Sequence, residues 1–219
     1  MQTHHLSIEK TAKVCTVGDL NKDTKAIWIV CHGYGQLAQF FAPKFSLLAS
    51  EGHFIIAPEA LSRFYLQGFS GRVGAAWMSR EERDCDIEDN INYLNTIYAH
   101  FDIEAQSKPL NVLGFSQGVA TACRWLAQTK ISFQNLVLWA GIFPPDMNTD
   151  FEFSMDSFED KKVFIVYGDN DPFLKVEHEE EVDRLSKKYK NIEVIRFSGK
   201  HEISPAAMEI LLGKLAQPL

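Results

Sequence analysis

The sequence has no long apolar run and no excess of positive charge, and each absence excludes a class of protein. No stretch approaches the roughly 20 apolar residues that a membrane-spanning helix needs. The first residues lack the basic segment, apolar run and small-residue cleavage site of a secretory signal, so we expect a cytoplasmic protein. With 22 Lys and Arg against 29 Asp and Glu, the formal net charge is −7, which disfavours binding to nucleic acid or to an anionic membrane.

Cysteine pairs of the CxxC type, internal repeats and linker-like tracts are also missing. The four cysteines, Cys15, Cys31, Cys85 and Cys123, are scattered, and without a secretory signal we expect free thiols rather than disulfides. No Pro-, Gly- or Ser-rich stretch divides the 219 residues, so 1–219 is expected to fold as one domain.

Short continuous apolar runs recur along the chain. Because they lack polar alternation, they predict strands buried on both faces, as in a parallel sheet between two layers of helices. The runs are 26–31, 54–57, 110–113, 136–139 and 163–167. A further run, 192–197, alternates more and is expected near an edge of the sheet. Residues 3–17 alternate weakly and predict an N-terminal hairpin.

Segments with helical periodicity separate these runs. Ile87, Ile91, Leu94 and Tyr98 recur at spacings of four, three and four, and they mark one face of a helix over 83–100. Further helices are predicted directly after Ser116, over 176–189 and over 205–215, where Ser204 and Pro205 are typical of a helix start. The alternation predicts an α/β fold: a mostly parallel, doubly wound sheet with helices on both faces.

The segment 61–83 follows neither period. It holds three glycines, four arginines and several large apolar side chains. A long irregular connection of this kind is typical of a lid or substrate-binding loop, and the alternative is a surface loop anchored by a few aromatic residues.

The pentapeptide Gly-Phe-Ser-Gln-Gly at 114–118 joins a predicted buried strand to a predicted helix. A serine in Gly-x-Ser-x-Gly at such a junction occupies a strained turn that lifts its hydroxyl above the sheet, and its neighbours two positions away must be small. Gly114 and Gly118 meet that need. Ser116 is therefore the candidate nucleophile, the alternative being an ordinary strand–turn–helix with glycines for geometry.

A serine hydroxyl needs a neighbouring base, and a histidine oriented by a carboxylate can serve. The expected chain order is serine, acid, histidine. After Ser116, His178 lies in a Glu-rich helical stretch and is expected at the surface, whereas His201 follows the last predicted strand, where α/β sites gather. We predict His201 as the base. His32 precedes the serine, and we interpret it as a structural residue that braces its own loop, with a weaker claim to be the base.

The acid is expected in Gly-Asp-Asn-Asp-Pro at 168–172, which follows another predicted strand. Either aspartate could reach an imidazole. Asp171 is favoured because the residues before it allow a turn and Pro172 stiffens the chain after it. Asp169 is expected to stabilise the turn through hydrogen bonds to local backbone N–H groups.

An oxyanion formed at the substrate carbonyl needs backbone N–H donors. The loop Cys-His-Gly-Tyr-Gly-Gln at 31–36 follows the first buried strand, and its glycines let the backbone approach the reaction centre. The N–H groups of Tyr34 and Gln117, the latter at a helix start, are the predicted donors.

Four motifs together resemble the phospholipase/carboxylesterase family of the α/β-hydrolase superfamily, which includes the acyl-protein thioesterases. They are His-Gly-x-Gly at 32–35, Gly-Phe-Ser-Gln-Gly at 114–118, Gly-Asp-x-Asp-Pro at 168–172 and the histidine at 201. The resemblance implies the α/β-hydrolase fold and a catalytic triad of Ser116, Asp171 and His201. It also implies an oxyanion hole formed by the amides of Tyr34 and Gln117, and it implies neither a metal nor an organic cofactor.

The segment 61–83 does not follow the pattern of the acyl-protein thioesterases. Trp77 and Met78 within it are candidate substrate-binding residues of an acyl pocket, or else core anchors of the loop. We expect a serine hydrolase that cleaves small-molecule carboxylic esters through an acyl-enzyme. The alternatives are a thioesterase, a dienelactone-type lactone hydrolase, which usually carries Cys in place of Ser116, and a non-catalytic binding protein of the same fold. A homodimer is a further option, and neither nucleic acid binding nor stable membrane insertion is expected.

Overall fold

A sheet of seven strands forms the centre of the computed structural model, which describes residues 1–147, 158 and 161–216. The strands along the chain are β1 (Val14–Val17), β2 (Ala26–Cys31), β3 (His53–Pro58), β4 (Ser62–Tyr65), β5 (Val73–Ala76), β6 (Leu110–Phe115), β7 (Asn135–Trp139), β8 (Lys162–Gly168) and β9 (Ile192–Phe197). The central sheet has the order β1-β3-β2-β6-β7-β8-β9. Its neighbouring strands are all parallel except β1 and β3, which confirms the predicted mostly parallel sheet.

Helices cover both faces of this sheet. They are α1 (Ala38–Phe41), α2 (Ser46–Ser50), α3 (Arg83–His100), α4 (Gln117–Gln128), α5 (Val176–Lys188) and α6 (Pro205–Leu215), with 3₁₀ turns at Ala42–Phe45 and Pro145–Met147. One core cluster contains buried residues of α3, α4 and α5, and a second contains those of α1, α2 and α6. Along β2, Ile27 and Ile29 belong to the first cluster and Trp28 and Val30 to the second, because successive side chains of a strand point to opposite faces.

The predicted elements agree closely with the described ones. Strands β2 and β9 begin and end at the predicted residues, and β9 lies at an edge as expected. Helices α3 and α6 also have the predicted bounds, and the Ser204 hydroxyl accepts a hydrogen bond from the Ala207 N–H at 3.3 Å at the start of α6. The four cysteines are free thiols, as expected. Within the described ranges, no helix is both long and apolar enough to cross a bilayer.

Two predictions about local structure were wrong. Residues 3–17 do not form a hairpin: only β1 is a strand, and it pairs with β3 instead of with the residues before it. The segment 61–83 is not irregular, since β4 and β5 form an antiparallel hairpin with Ser62 opposite Ala76 and Tyr65 opposite Val73. Helices α1 and α2 were not anticipated, and with four and five residues they are too short to produce a clear helical period.

Gly118, in the first turn of α4, lets this helix approach the end of β2. A Cβ atom at this position would lie 2.2 Å from the carbonyl oxygen of Cys31 and 2.6 Å from that of His32. Both contacts are with backbone atoms, which cannot rotate away. The glycine is therefore required by close packing between the two segments that carry Ser116 and the loop after β2.

We expect Gly118→Ala to lower the free energy of unfolding by about 1–3 kcal/mol, because the added methyl group overpacks this contact. Gly213→Ala is the matched control: Gly213 lies within α6, and a Cβ there would meet nothing within 4 Å. That change should stabilise the protein by about 0.5–1 kcal/mol through helix propensity. Urea denaturation measures both, and equal effects of the two substitutions would contradict the packing argument.

Candidate active site

Ser116 lies between the end of β6 and the start of α4 in a strained backbone conformation. Its φ is 53° and its ψ is −117°, outside the regions that residues other than glycine usually adopt. Such a conformation costs about 1–3 kcal/mol and persists only where the surroundings enforce it. Here the Ser116 N–H donates to the Trp139 carbonyl at 2.9 Å, and the Val119 N–H donates to the Ser116 carbonyl at 3.0 Å. The serine has the strained turn that the pentapeptide predicts.

Asp171 and His201 are joined by a short hydrogen bond. The His201 Nδ1 and the Asp171 Oδ2 lie 2.7 Å apart, with the carboxylate fully buried and the imidazole 19% exposed. The other carboxylate oxygen accepts the Phe173 N–H at 2.9 Å. A carboxylate only accepts hydrogen bonds, so Nδ1 donates to it, and in a neutral imidazole with this tautomer the lone pair is on Nε2. The side chain of Asp171 thus sets the tautomer of His201.

Asp169 has a different environment, as its position in the turn predicts. Its Oδ1 accepts hydrogen bonds from the Gly199 N–H at 3.1 Å and from the Asn170 side-chain amide at 2.7 Å. The Asn170 N–H in turn donates to the Gly199 carbonyl at 2.9 Å. These bonds connect the loop after β8 to the loop after β9, and they hold the two loops that carry Asp171 and His201.

The His201 ring contacts two phenylalanine rings. Its centroid is 4.9 Å from that of Phe115 and 4.7 Å from that of Phe173. Phe115 is the residue directly before Ser116, so the histidine contacts the strand end that carries the serine. The strand order also brings Ser116, Asp171 and His201 to the edge where the carboxyl ends of β6, β8 and β9 meet.

The other two histidines considered for the base are engaged elsewhere. His32 is fully buried; its Nε2 accepts the Ala60 N–H at 3.0 Å, so its Nδ1 carries the proton and donates to the Gly33 carbonyl at 2.7 Å. Desolvation by burial lowers the pKa of His32, which favours this neutral form. His178 is half-buried rather than exposed, and its Nδ1 accepts the Lys175 N–H at 3.0 Å at the start of α5. His32 therefore has the bracing role predicted for it.

Three backbone N–H groups on either side of Tyr34 in the loop after β2 already have acceptors. The Gly33 N–H donates to the side chain of Gln36 at 2.9 Å, the Gly35 N–H to the Ala75 carbonyl at 2.8 Å, and the Gln36 N–H to the Gly33 carbonyl at 3.2 Å. Among the described residues, the N–H of Tyr34 has no acceptor. The N–H of Gln117 is likewise without one, as is usual at the first residue of a helix.

The side chain of Gln117 holds the segment after β5. Its Oε1 accepts the Trp77 N–H and its Nε2 donates to the Met78 carbonyl, both at 2.9 Å. This amide therefore bonds to the backbone of two successive residues, Trp77 and Met78. The pentapeptide predicts a role only for the backbone of Gln117 and does not indicate where its side chain points.

The contacts of Trp77 and Met78 attach the segment after β5 to the core. Trp77 is 1% exposed, its indole N–H donates to the His32 carbonyl at 2.7 Å, and its carbonyl accepts the Asn90 side-chain amide at 2.5 Å. Met78 is half-buried, and its sulfur accepts a hydrogen bond from Arg124 at 3.4 Å. These contacts fit the alternative of core anchors and lend no support to the predicted substrate-binding role.

The buried carboxylate of Glu59, directly after β3, connects this strand with β4 and with α1. Glu59 is 2% exposed; it accepts a hydrogen bond from Arg63 of β4 at 2.7 Å and one from the Ala38 N–H, at the start of α1, at 3.2 Å. A buried charge is costly unless it is paired and hydrogen bonded in this way. No sequence motif marks this residue, which stands alone after β3, and Arg63 lies in the segment 61–83 where no period is visible.

One group of side chains with metal-binding chemistry exists in the part of the chain that the structure describes. The ligand atoms of His5, Glu82 and Cys85 lie within 4.8 Å of one another. Two of the three residues are exposed and none is a predicted catalytic residue. Groups of this kind are common at protein surfaces, so we do not assign a metal site to the cluster.

A family model of phospholipases and carboxylesterases matches residues 13–217. No curated protein is similar enough in sequence to match. Among solved structures, esterase PE8 has a TM-score of 0.67 at 16% identity, over 96% of this chain and 100% of its own. Zea mays acyl-protein thioesterase 2 has a TM-score of 0.67 at 19% identity, over 94% of this chain and 98% of its own. The Bacillus cereus carboxylesterase has a TM-score of 0.66 at 16% identity, over 93% of this chain and 92% of its own. These likenesses show a shared fold.

We expect Gln117→Ala to lower the free energy of unfolding by about 1–3 kcal/mol, because the Trp77 N–H and the Met78 carbonyl would both lose their partner. Gln67→Ala is the control, since Gln67 is exposed near the tip of the hairpin, and such surface changes stay within about 0.5 kcal/mol. Chemical denaturation followed by tryptophan fluorescence gives both values. No difference between the two variants would show that the amide does not hold this segment.

Proposed function

Since the chain belongs to the phospholipase/carboxylesterase family, we propose that it cleaves carboxylic esters with Ser116 as the nucleophile. One observation carries the proposal. A buried aspartate fixes the tautomer of His201, and this histidine contacts the residue that precedes a strained serine. A base oriented by a carboxylate beside a serine in this turn is the arrangement that activates a hydroxyl group.

In the acylation step, His201 Nε2 takes the proton of the Ser116 hydroxyl while the serine oxygen attacks the ester carbonyl. Asp171 accepts the Nδ1–H throughout and stabilises the imidazolium that forms. The imidazolium then gives its proton to the departing alcohol oxygen, and the acyl group remains on Ser116. Water attacks this acyl-enzyme with His201 again as the base, which releases the carboxylic acid and restores the serine.

The negative charge on the carbonyl oxygen is stabilised by the backbone N–H groups of Tyr34 and Gln117. Support comes from the hydrogen bonds of the loop after β2, where the neighbouring N–H groups of Gly33, Gly35 and Gln36 are already used. Donors that are held in place before the reaction stabilise the transition state without reorganisation, and each is worth roughly 10²–10³ in rate. The reaction as proposed uses protein groups and water alone.

We expect a fluorophosphonate probe to label Ser116 in the folded protein, and peptide mapping identifies the labelled residue. Ser116→Ala should abolish the label and lower the hydrolysis of 4-nitrophenyl esters on the order of 10⁴-fold or more. A series of esters from acetate to palmitate, set beside acyl-thioesters, measures which acyl groups and bonds are preferred. If circular dichroism shows that the protein is folded and no label is found, the proposed mechanism is wrong.

Asp171 and Asp169 lie in the same turn, so substituting each in turn distinguishes the loss of His201 orientation from a general effect on the loop. Asp171→Asn should lower kcat on the order of 10³–10⁴-fold, because an amide in this place favours the wrong tautomer of His201. Asp169→Asn is the matched control and should cost far less, since Asp169 contacts only loop groups. Steady-state kinetics with one ester measures both, and losses of similar size would contradict the assignment of Asp171.

A further inference from the structure

A cavity with a volume of about 520 Å³ opens beside the loop that follows β2. Side chains of α1 and of the residues around it form an apolar wall, and β5 contributes Val73. Leu37, Phe40 and Phe41 are the main apolar residues of that wall. A volume of this size is within the range of small-molecule binding sites.

The strand order places this cavity on the side of Ser116 opposite to the acid–histidine pair. The loop after β2 and the hairpin after β3 frame the cavity, whereas Asp171 and His201 follow β8 and β9. Ser116 follows β6, which lies between these two groups of strands. In the proposed reaction His201 protonates the leaving alcohol. The alcohol therefore lies on the same side of Ser116 as His201, and the acyl group extends to the other side, toward the cavity.

Phe41 connects the cavity to the residues around Ser116. Its ring lines the cavity, and its centroid lies 6.0 Å from that of Phe115 and 6.3 Å from that of His32. Gly35, which also lines the cavity, directly follows Tyr34. Phe41 and Gly35 thus place the cavity near the predicted nucleophile turn and the predicted oxyanion loop, although Ser116, Tyr34 and Gln117 do not themselves line it.

Two cations, Lys44 and Arg72, line this cavity, and no acidic residue does. Within the described ranges neither side chain forms an ion pair or a hydrogen bond. Both side chains are exposed, so a charged ligand can reach them from the solvent. A neutral acyl chain in the cavity would take water from both cations without replacing it, which costs free energy.

We propose that the acyl part of the substrate ends in a carboxylate that binds Lys44 and Arg72, so that the enzyme cleaves monoesters of dicarboxylic acids. This inference rests on the proposed ester hydrolysis at Ser116. The apolar wall holds the methylene chain, and the two cations bind the charged end. Arg offers paired N–H donors to the carboxylate and Lys adds a point charge.

The test compares 4-nitrophenyl monoesters of adipic, suberic and sebacic acid with their methyl-capped counterparts, which differ only in the distal charge. For at least one chain length, the free carboxylate should raise kcat/KM on the order of 10-fold or more. The double variant Lys44→Gln/Arg72→Gln should lower this ratio to near one. Addition of about 0.5 M salt should also reduce the ratio, because exposed charges are screened.

Arg80→Gln is the matched control, since Arg80 is exposed in the same segment but does not line the cavity. It should leave the ratio unchanged. Turnover of capped esters with no preference for the carboxylate, or a preference that survives in the double variant, would overturn this inference and leave the proposed hydrolysis intact. Failure to cleave any ester would overturn the proposed hydrolysis. Calorimetry then tests the cavity without turnover. Monomethyl suberate should bind Ser116→Ala protein more tightly than the neutral reference dimethyl suberate does, and replacement of both cations in that protein should remove the difference.

Discussion

The hydrogen bond from the indole of Trp77 to the carbonyl of His32 connects the two parts of the molecule on which the candidate site depends. One end belongs to the segment after the hairpin and the other to the loop that carries the predicted oxyanion donor. The backbone of Trp77 is paired in turn with Gln117, beside the serine, and with Asn90 of α3. A buried donor or acceptor left without its partner costs about 1–3 kcal/mol. The hydrogen bonds of Trp77 therefore tie the loop after β2 to the turn at Ser116, in addition to the close packing at Gly118.

The sequence predicted the elements that consist of continuous apolar runs, because burial on both faces leaves a pattern that few other structures produce. Strands β2 and β9 and helices α3 and α6 have the expected bounds. The order of Ser116, Asp171 and His201 along the chain could also be read directly, since each follows its own predicted strand. The hydrogen bond between Asp171 and His201 could not be predicted in this way, because it depends on the fold and not on the separation of the two residues along the chain.

What the sequence could not predict depends on contacts between distant segments. The strands β4 and β5 are short, and their residues Ser62, Arg63 and Gly74 do not form the alternation of a half-buried strand. The role of Glu59 follows from two partners in different elements, and a lone glutamate in a sequence is normally read as exposed. The sequence allowed Trp77 to be either a substrate contact or a core anchor of its loop, and its burial and hydrogen bonds, which no motif indicates, fit the anchor.

The hairpin of β4 and β5 forms a sheet of its own and does not share a strand with the central sheet. Changes in its residues therefore leave the register of β3, β2 and β6 untouched, while they alter the wall of the cavity that Arg72 and Val73 help to form. The hairpin is linked to the loop after β2 by the bridge between Ala75 and the residues Gly35 and Gln36. Insertions or deletions in the hairpin can therefore reshape the cavity while the strands that carry Ser116, Asp171 and His201 keep their pairing.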